Sequence, residues 1–588
     1  MGTDNLGIDD GWWDIEGHWH HADPHTIGLI RSTLNRHGDG DTPHQGPPLW
    51  FVDAGCGEVI GCPATLRLED GGEVEAVHNL PSDLPIGVHE LVPADGGPVT
   101  TLFIAPATLP GLGGRRWGVV AQLYAARSHR SWGIGDLSDL RMLGRWVAAH
   151  GGSVLGVNPL GEALDVVPRE PSPYSPSTRR HVDPLWIDVS DLTGHAGTPP
   201  TNGRHIHRDA VWQAKRAALL AGYEAAGAPL GDGDLRHAVF CAVTEEFGCG
   251  WLGWPAELRR PDGEAVEKFT ADHAEQVGFW RWVEQLADYQ LFDVREELRH
   301  AGVTLLGDLT VGVDPNGFDA WCQQDTLALD MSIGAPPDAF NPAGQDWGLP
   351  PFDPWALRAS AYAPLRSLLR SSFTRFGALR IDHVMGLFRL FWIPRGAGPE
   401  FGTYVRYRPE ELLAVIRLEA ARAGAFVVGE DLGTVEDGVR ERLASSGIAG
   451  TKVAWFDGAP EHWPPSSLGT LTTHDLPTVL GALGGGDPGA DPAFAAHLRE
   501  VLGDGSTGRS DIDQLVEAHR RLANAGSDLV LVTTDDLLGA TDRPNQPGGS
   551  DDYPSWCIPL PVPLEDLDDH PIAQRIATEM ANARPLSE

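Results

Sequence analysis

From Trp117 onward the chain repeats one texture: a short apolar run, then a longer segment whose apolar residues fall at helical spacing. That alternation marks parallel strands joined by crossover helices, because a parallel neighbour is reached only by carrying the chain back over the sheet face. Eight runs read as strands: WGVVAQL from 117, SVLGVNPL from 153, VTLLGDL from 303, ALRID from 378, AFVVGED from 425, TKVAWF from 451, LGTLTTHD from 468 and DLVLVTT from 528. Eight such strands in order predict an α/β fold, a (β/α)8 TIM barrel with helical and loop insertions. A doubly wound sheet is the alternative, but no glycine-rich dinucleotide fingerprint follows any run. The stretch 160–300, between strands 2 and 3, must hold extra helices, with helical spacing over 208–226 and 272–300. Residues 312–360 read as loop-rich and 565–583 as the closing helix.

Before Trp117 the pattern changes. Residues 1 to about 35 look partly helical, with Ile27, Leu29, Ile30 and Leu34 at helical spacing. His18, His20 and His21 cluster there and read as a solvated or locally hydrogen-bonded group. From Pro48 to Leu109, short extended runs alternate with Gly and Pro turns, which predicts a small antiparallel β-domain. PGLGGRR, 110–116, reads as a linker. The expected division is a small β-rich N-terminal domain over 1–112 and a catalytic barrel over 113–588, with its insertion at 160–300.

Charge narrows the partners. With 44 basic against 82 acidic residues the net charge is −38, which argues against binding nucleic acid or an anionic membrane. The cysteines Cys56, Cys62, Cys241, Cys249, Cys322 and Cys557 form no CxxC pair and are expected to sit in no Cys/His cluster. Neither a zinc site nor a redox motif is expected from them, and no metal or organic cofactor is expected. The N-terminus lacks a basic region followed by an apolar run, and no run has bilayer length, so a cytoplasmic location is expected.

In a barrel the chemistry lies at the carboxyl ends of the strands. Four of the eight runs end on acids: Asp308, Asp382, Glu430 and Asp475. Gathering carboxylates at one mouth is costly, because like charges repel and raise one another's pKa. His383 and His474 stand beside two of these acids, and no other His lies at ligand spacing, so acid–base and nucleophilic work remains. An ionised acid and a protonated one flanking a glycosidic bond fit such a set, with a third acid to hold the substrate. Arg380, on the same strand face as Asp382, is expected to keep it ionised as the nucleophile. Glu430, leaving the apolar run AFVVG, suits a raised pKa and the role of acid. For Asp382 alone, capping of a following helix is the plainer reading.

These strand ends also carry a resemblance. ALRIDHVMG, VVGEDLGT and TTHDLPT look like the catalytic strand ends of the α-amylase clan. QLYAARSHRSWGIGDLSDL (122–140), GVNPL with PREPSPYSPSTRR (156–180), GDLTVGVDPNGFDAW (307–321), GAPPDAFNPAGQDWGLPPFDP (334–354) and DRPNQPGGSDDYPSW (542–556) resemble glycoside hydrolase family 77. That family comprises the 4-α-glucanotransferases called amylomaltase or disproportionating enzyme. The similarity spans about 115–560, and the β-rich N-terminus resembles the bacterial maltodextrin-pathway form.

The resemblance implies roles. Asp382 matches the nucleophile, Glu430 the general acid/base and Asp475 a third acid that grips sugar hydroxyls. Arg380 and His474 match positioning residues, His383 adjoins the substrate, and Asp308 matches the acid of the GDL motif. Tyr174 matches the aromatic stacked on the reacting glucose; Asp338, Phe340, Gln345 and Trp347 match the loop over the acceptor sites. Trp132 is a further candidate for sugar stacking. Two departures stand out: Ala339 precedes Phe340 where some members have Tyr, and SWC (555–557) replaces the more usual Asn-Trp-Arg. The implied partners are α-1,4-glucans (maltooligosaccharides, starch or glycogen fragments), with glucose as acceptor. An α-glucan hydrolase of the same clan and a non-catalytic glycan-binding protein are the alternatives.

Overall fold

The computed structural model describes the chain except residues 1, 15–16, 37, 39–43, 45, 193–199, 201–202, 229–230, 338–342, 485–491, 503–509, 548–552 and 587–588. At its centre stand eight strands: Arg116–Ala121 (β1), Val154–Val157 (β2), Thr304–Leu309 (β3), Ala378–Ile381 (β4), Phe426–Gly429 (β5), Gly450–Val453 (β6), Ser467–Thr470 (β7) and Leu529–Thr533 (β8). Neighbours in this order pair in parallel, and β8 returns to β1. A parallel bridge between Val428 and Ala449 joins β5 to the entrance of β6 and closes the ring. The eight runs read from the sequence are these strands, and the fold is a (β/α)8 barrel.

The period of two along each strand builds the interior. Val154, Leu306, Ala378, Phe426, Val428, Leu468, Leu529 and Leu531 form one buried cluster within the ring. The alternate residues Leu155, Leu305, Leu379, Val427 and Val530 pack outward against the helices. Each such side chain stabilises the fold by about 1.5–3 kcal/mol through burial. The same parity fixes the mouth: Asp308 lies two residues beyond Leu306, Arg380 and Asp382 continue from Ala378, and Glu430 follows Val428. Polar groups thus emerge where the apolar fill stops.

A second sheet stands over the mouth. Met331–Ala335, Gln345–Asp346, Arg389–Pro394 and Thr403–Arg406 pair antiparallel. The chain leaves β4 at Asp382, turns through Val384–Leu387 and enters Arg389–Pro394 directly. Residues 312–360, expected to be loop-rich, supply two of these strands. The apolar residues after Asp382 form a short turn and a strand, not a capped helix. Leu6, Ile8, Ile30 and Leu34 pack with Leu390, Trp392 and Val405, so the N-terminal segment and its helix Pro24–Leu34 rest on this sheet.

The β-rich region before the barrel is a five-stranded sheet in the order Leu49–Asp53, Thr100–Ala105, Gly87–Pro93, Val59–Arg67, Glu73–Asn79. It is not wholly antiparallel. Leu49–Asp53 pairs in parallel with Thr100–Ala105, the other three strands serving as the long crossover such a pair requires. The sheet leans on barrel helices: Arg417 of Pro409–Ala423 reaches Asp53 at 3.3 Å, and Arg370 of Ala363–Arg375 reaches Glu69 at 3.0 Å. Helices Arg208–Ala225, Leu235–Phe247 and Ala274–His300 lie between β2 and β3, and Pro571–Ala583 closes the chain. Among the described residues no helix is long and apolar enough to cross a membrane.

Candidate active site

β3, β4 and β5 end side by side. Asp308 pairs with Arg380 in the ladder register, and Ile381 with Gly429, so Asp382 and Glu430 are the next residues on adjacent strands. Backbone bonds hold them there: Asp382 N–H donates to the Leu309 carbonyl at 3.0 Å, and Glu430 N–H to the Ile381 carbonyl at 3.0 Å. Gly429 lets the turn after β4 approach, since a Cβ there would meet Val384 at 2.9 Å.

Arg380 is the hub. Its Nη1 donates to Asp308 Oδ1 at 2.6 Å and lies 3.0 Å from Asp382 Oδ1. The other Asp308 oxygen accepts from the Tyr174 hydroxyl at 2.8 Å. Asp308 therefore braces both Arg380 and Tyr174. The Tyr174 ring stacks on His474, centroids 4.8 Å apart, and Trp556 tilts against both rings at 5.5 and 5.3 Å. His474 Nε2 faces Asp475 Oδ2 at 3.4 Å, and Asn545 donates to Asp475 Oδ1 at 2.6 Å. On the mouth sheet, Trp347 meets the His383 ring edge-on at 5.2 Å, and its indole N–H donates to Gln345 Oε1 at 2.8 Å.

The acids differ in their electrostatics. Burial pushes the Asp382 carboxyl up to about 6; Arg380 pulls it down, and Asp308 and Glu430 push it up again. Arg380 thus moderates Asp382 without overcoming burial, and the acid is still ionised at neutral pH. Glu430 is also raised by burial, against Arg380 and the two backbone N–H groups that its oxygens accept from, His383 at 2.9 Å and Leu432 at 2.7 Å. Asp475 goes the other way: enclosure would raise it, but His474 and Asn545 hold it below the usual carboxylate range. His474 is raised in return, Asp475 outweighing burial.

Asp308, Tyr174, Arg380, Asp382, Glu430, His474 and Asp475 are linked through these contacts, with Gln345, Trp347 and His383 beside them. Asp338 and Phe340, with Ala339, lie outside the described residues. Trp132 is only 2% exposed and belongs to the core, which removes it as a stacking surface. Asn545 and Trp556 both lie within the segment DRPNQPGGSDDYPSW, but nothing in its spacing points either residue at the acids. The backbone donors at His383 and Leu432 leave no sequence signal at all.

A family model described as 4-alpha-glucanotransferase matches residues 121–564. The chain belongs to glycoside hydrolase family 77. A 4-alpha-glucanotransferase of Mycobacterium tuberculosis (strain ATCC 25618 / H37Rv) is 40% identical, the match covering 87% of this chain and 82% of that protein. One from Haemophilus influenzae is 32% identical over 79% and 78% of the two chains. The crystal structure of amylomaltase from Corynebacterium glutamicum superposes with a TM-score of 0.81 at 30% identity, covering 98% of each chain. Amylomaltase from Streptococcus agalactiae, solved in complex with acarbose, shares the fold at a TM-score of 0.69 and 17% identity, over 80% of this chain and 99% of that one. The enzyme's activity is accordingly that of the family, 4-alpha-glucan transfer.

Proposed function

We propose that Asp382, Glu430 and Asp475 carry out this transfer on α-1,4-glucans by a retaining double displacement. One observation supports the reading above all: Asp382 and Glu430 leave adjacent strands in register. Neighbouring strands lie about 5 Å apart, so the two side chains leave the sheet close enough to bracket one glycosidic bond, as a retaining pair must. In the first step an Asp382 oxygen attacks the anomeric carbon, the glycosidic C–O bond breaks, and Glu430 gives its proton to the departing 4-oxygen. In the second, Glu430 takes the proton of an incoming sugar 4-hydroxyl, whose oxygen attacks the same carbon and frees Asp382. Raised by burial, Glu430 is suited to hold the proton it must donate.

Asp475 holds sugar hydroxyls and is itself set by Asn545 and His474. Asp308 keeps Arg380 and the Tyr174 ring in place. Transfer prevails over hydrolysis where a sugar, not water, fills the acceptor side. Tyr174 and Trp347 offer apolar ring surface for that purpose, with Trp556 packed behind Tyr174. Glucose is the smallest acceptor, the protein works in the cytoplasm, and the β-rich segment up to 112 serves as a separate N-terminal domain that stabilises the barrel. Maltotriose tests the reading: glucose together with a ladder of longer dextrins is expected. Hydrolysis products alone would refute transfer.

A further inference from the structure

Away from the mouth, the short strand pair Gly161–Glu162 and Thr178–Val182 packs against helices Leu235–Phe247 and Ala274–His300. Five polar side chains meet there, all buried: Glu162, His181, His237, Cys241 and Glu284. None contributes to the transfer described above. His237 and Cys241 stand one turn apart on a helix, so His237 Nε2 and Cys241 Sγ face the same point, 3.5 Å apart. Glu162 faces both: Oε1 is 3.8 Å from the sulfur, and Oε2 is hydrogen-bonded to His237 Nε2.

We propose that Glu162, His237 and Cys241 bind one soft divalent cation of the zinc type. One donor atom from each of the three lies within 4.8 Å of the other two. An ion at about 2.0–2.1 Å from nitrogen and oxygen and 2.3 Å from sulfur sets tetrahedral donor edges of roughly 3.3–3.6 Å. The sulfur–nitrogen and sulfur–oxygen edges already stand close to that, so only the direct Glu162–His237 hydrogen bond has to part. The three donors fill three of the four tetrahedral positions, the fourth being left for a water. A thiolate and an imidazole select zinc-like ions over magnesium or calcium, which take oxygen donors. On binding, two protons leave to solvent: the Cys241 thiol proton as the sulfur–metal bond forms, and the proton shared by His237 Nε2 and Glu162 as those two atoms take up the ion.

The surrounding groups have the form such sites require. His237 Nδ1 lies 3.3 Å from Glu284 Oε2, the carboxylate behind the imidazole that fixes its tautomer and turns Nε2 toward an ion. Glu284 is itself held by His181 Nδ1 at 2.8 Å and by the Asp234 N–H at 2.9 Å. The His181 ring lies flat on His237, 3° from parallel with centroids 4.0 Å apart. The place gives the ion a purpose. Glu162 opens and Thr178 closes the hairpin that carries Tyr174, and the Ser177 N–H donates to the Glu162 carbonyl at 2.7 Å. An ion here would tie helix Leu235–Phe247 to the root of the Tyr174 loop.

The test uses the full-length enzyme loaded with zinc, freed of loose metal by gel filtration and assayed for metal per chain. About one equivalent is expected. Cys241→Ser, nearly isosteric, should weaken retention at least tenfold while keeping maltotriose turnover, which reports an intact fold. Glu284→Gln should weaken it about 10–100-fold. Cobalt-loaded wild type should show a near-ultraviolet thiolate-to-metal band that Cys241→Ser lacks. Failure of the active wild type to retain any ion would overturn the proposal. So would retention and a cobalt band unchanged in Cys241→Ser, or binding abolished by replacing His18, His20 and His21 instead.

Discussion

Two groups of buried acids flank the Tyr174 loop, and they are compensated in opposite ways. At the mouth, Asp308 and Asp382 both lean on one guanidinium, Arg380, whose charge Glu430 also feels. Asp382 and Glu430 end up raised. Behind the loop, Glu284 is more buried than the partly exposed mouth acids, yet the hydrogen bonds from His181 and His237 outweigh burial and drive it well below the usual carboxylate range. Burial therefore does not decide the state of an acid here; what does is whether the carboxylate has a histidine of its own, as Glu284 and Asp475 do, or shares one cation with neighbouring acids, as Asp382 and Glu430 share Arg380. The mouth is left under-compensated, which is the condition for proton transfer and nucleophilic attack. The interior group is satisfied, which is the condition for holding elements together.

Substitutions should separate the two groups cleanly. Glu430→Gln and Asp382→Asn should each cut maltotriose turnover by about 10³-fold or more, with circular dichroism unchanged. Glu284→Ala should do the reverse. Leaving His181 and His237 without their shared carboxylate should cost about 3–5 kcal/mol of stability by denaturant titration, with turnover per folded molecule close to wild type.

The pH response of Asp382 carries its own sign. Its folded value of about 6 lies above its ordinary 3.8, so the native state holds the proton longer than the unfolded chain. This group's contribution to stability therefore falls as pH rises from about 4 to 6, and the full penalty stands above that. Asp382→Asn should remove the penalty and gain up to about 3 kcal/mol at pH 7, read as a higher Tm than wild type. The same protonation should make wild-type turnover fall as pH drops below about 6. The smallest effect belongs to Asn545→Ala, which frees one Asp475 oxygen. It should raise KM for maltotriose several-fold and leave Tm nearly unchanged.

The two regions were also unequally legible in the sequence. Barrel strands are buried on both faces, so each reads as a continuous apolar run, and all eight stand out. The acids at their ends follow from the same runs. The mouth sheet was hidden, because Met331–Ala335 and Arg389–Pro394 are short and find each other only after 50 or so residues of chain. The parallel pairing of Leu49–Asp53 with Thr100–Ala105 was hidden for the same reason. Contrary to the expectation from spacing, Cys241 does sit in a Cys/His cluster; the sequence shows only its pairing with His237 one helical turn away, because the third donor, Glu162, comes from a strand 75 residues before His237. Asn545 and Trp556 sat in a motif that was read, but nothing in their spacing told what they touch.

Trapping the covalent intermediate tests the central claim most directly. Glu430→Gln incubated with a fluorinated glucosyl fluoride, digested and mapped by mass spectrometry, should carry its glucosyl adduct on Asp382. An adduct on Asp308, Asp475 or any other acid, or none under conditions where the wild type turns the donor over, would contradict it.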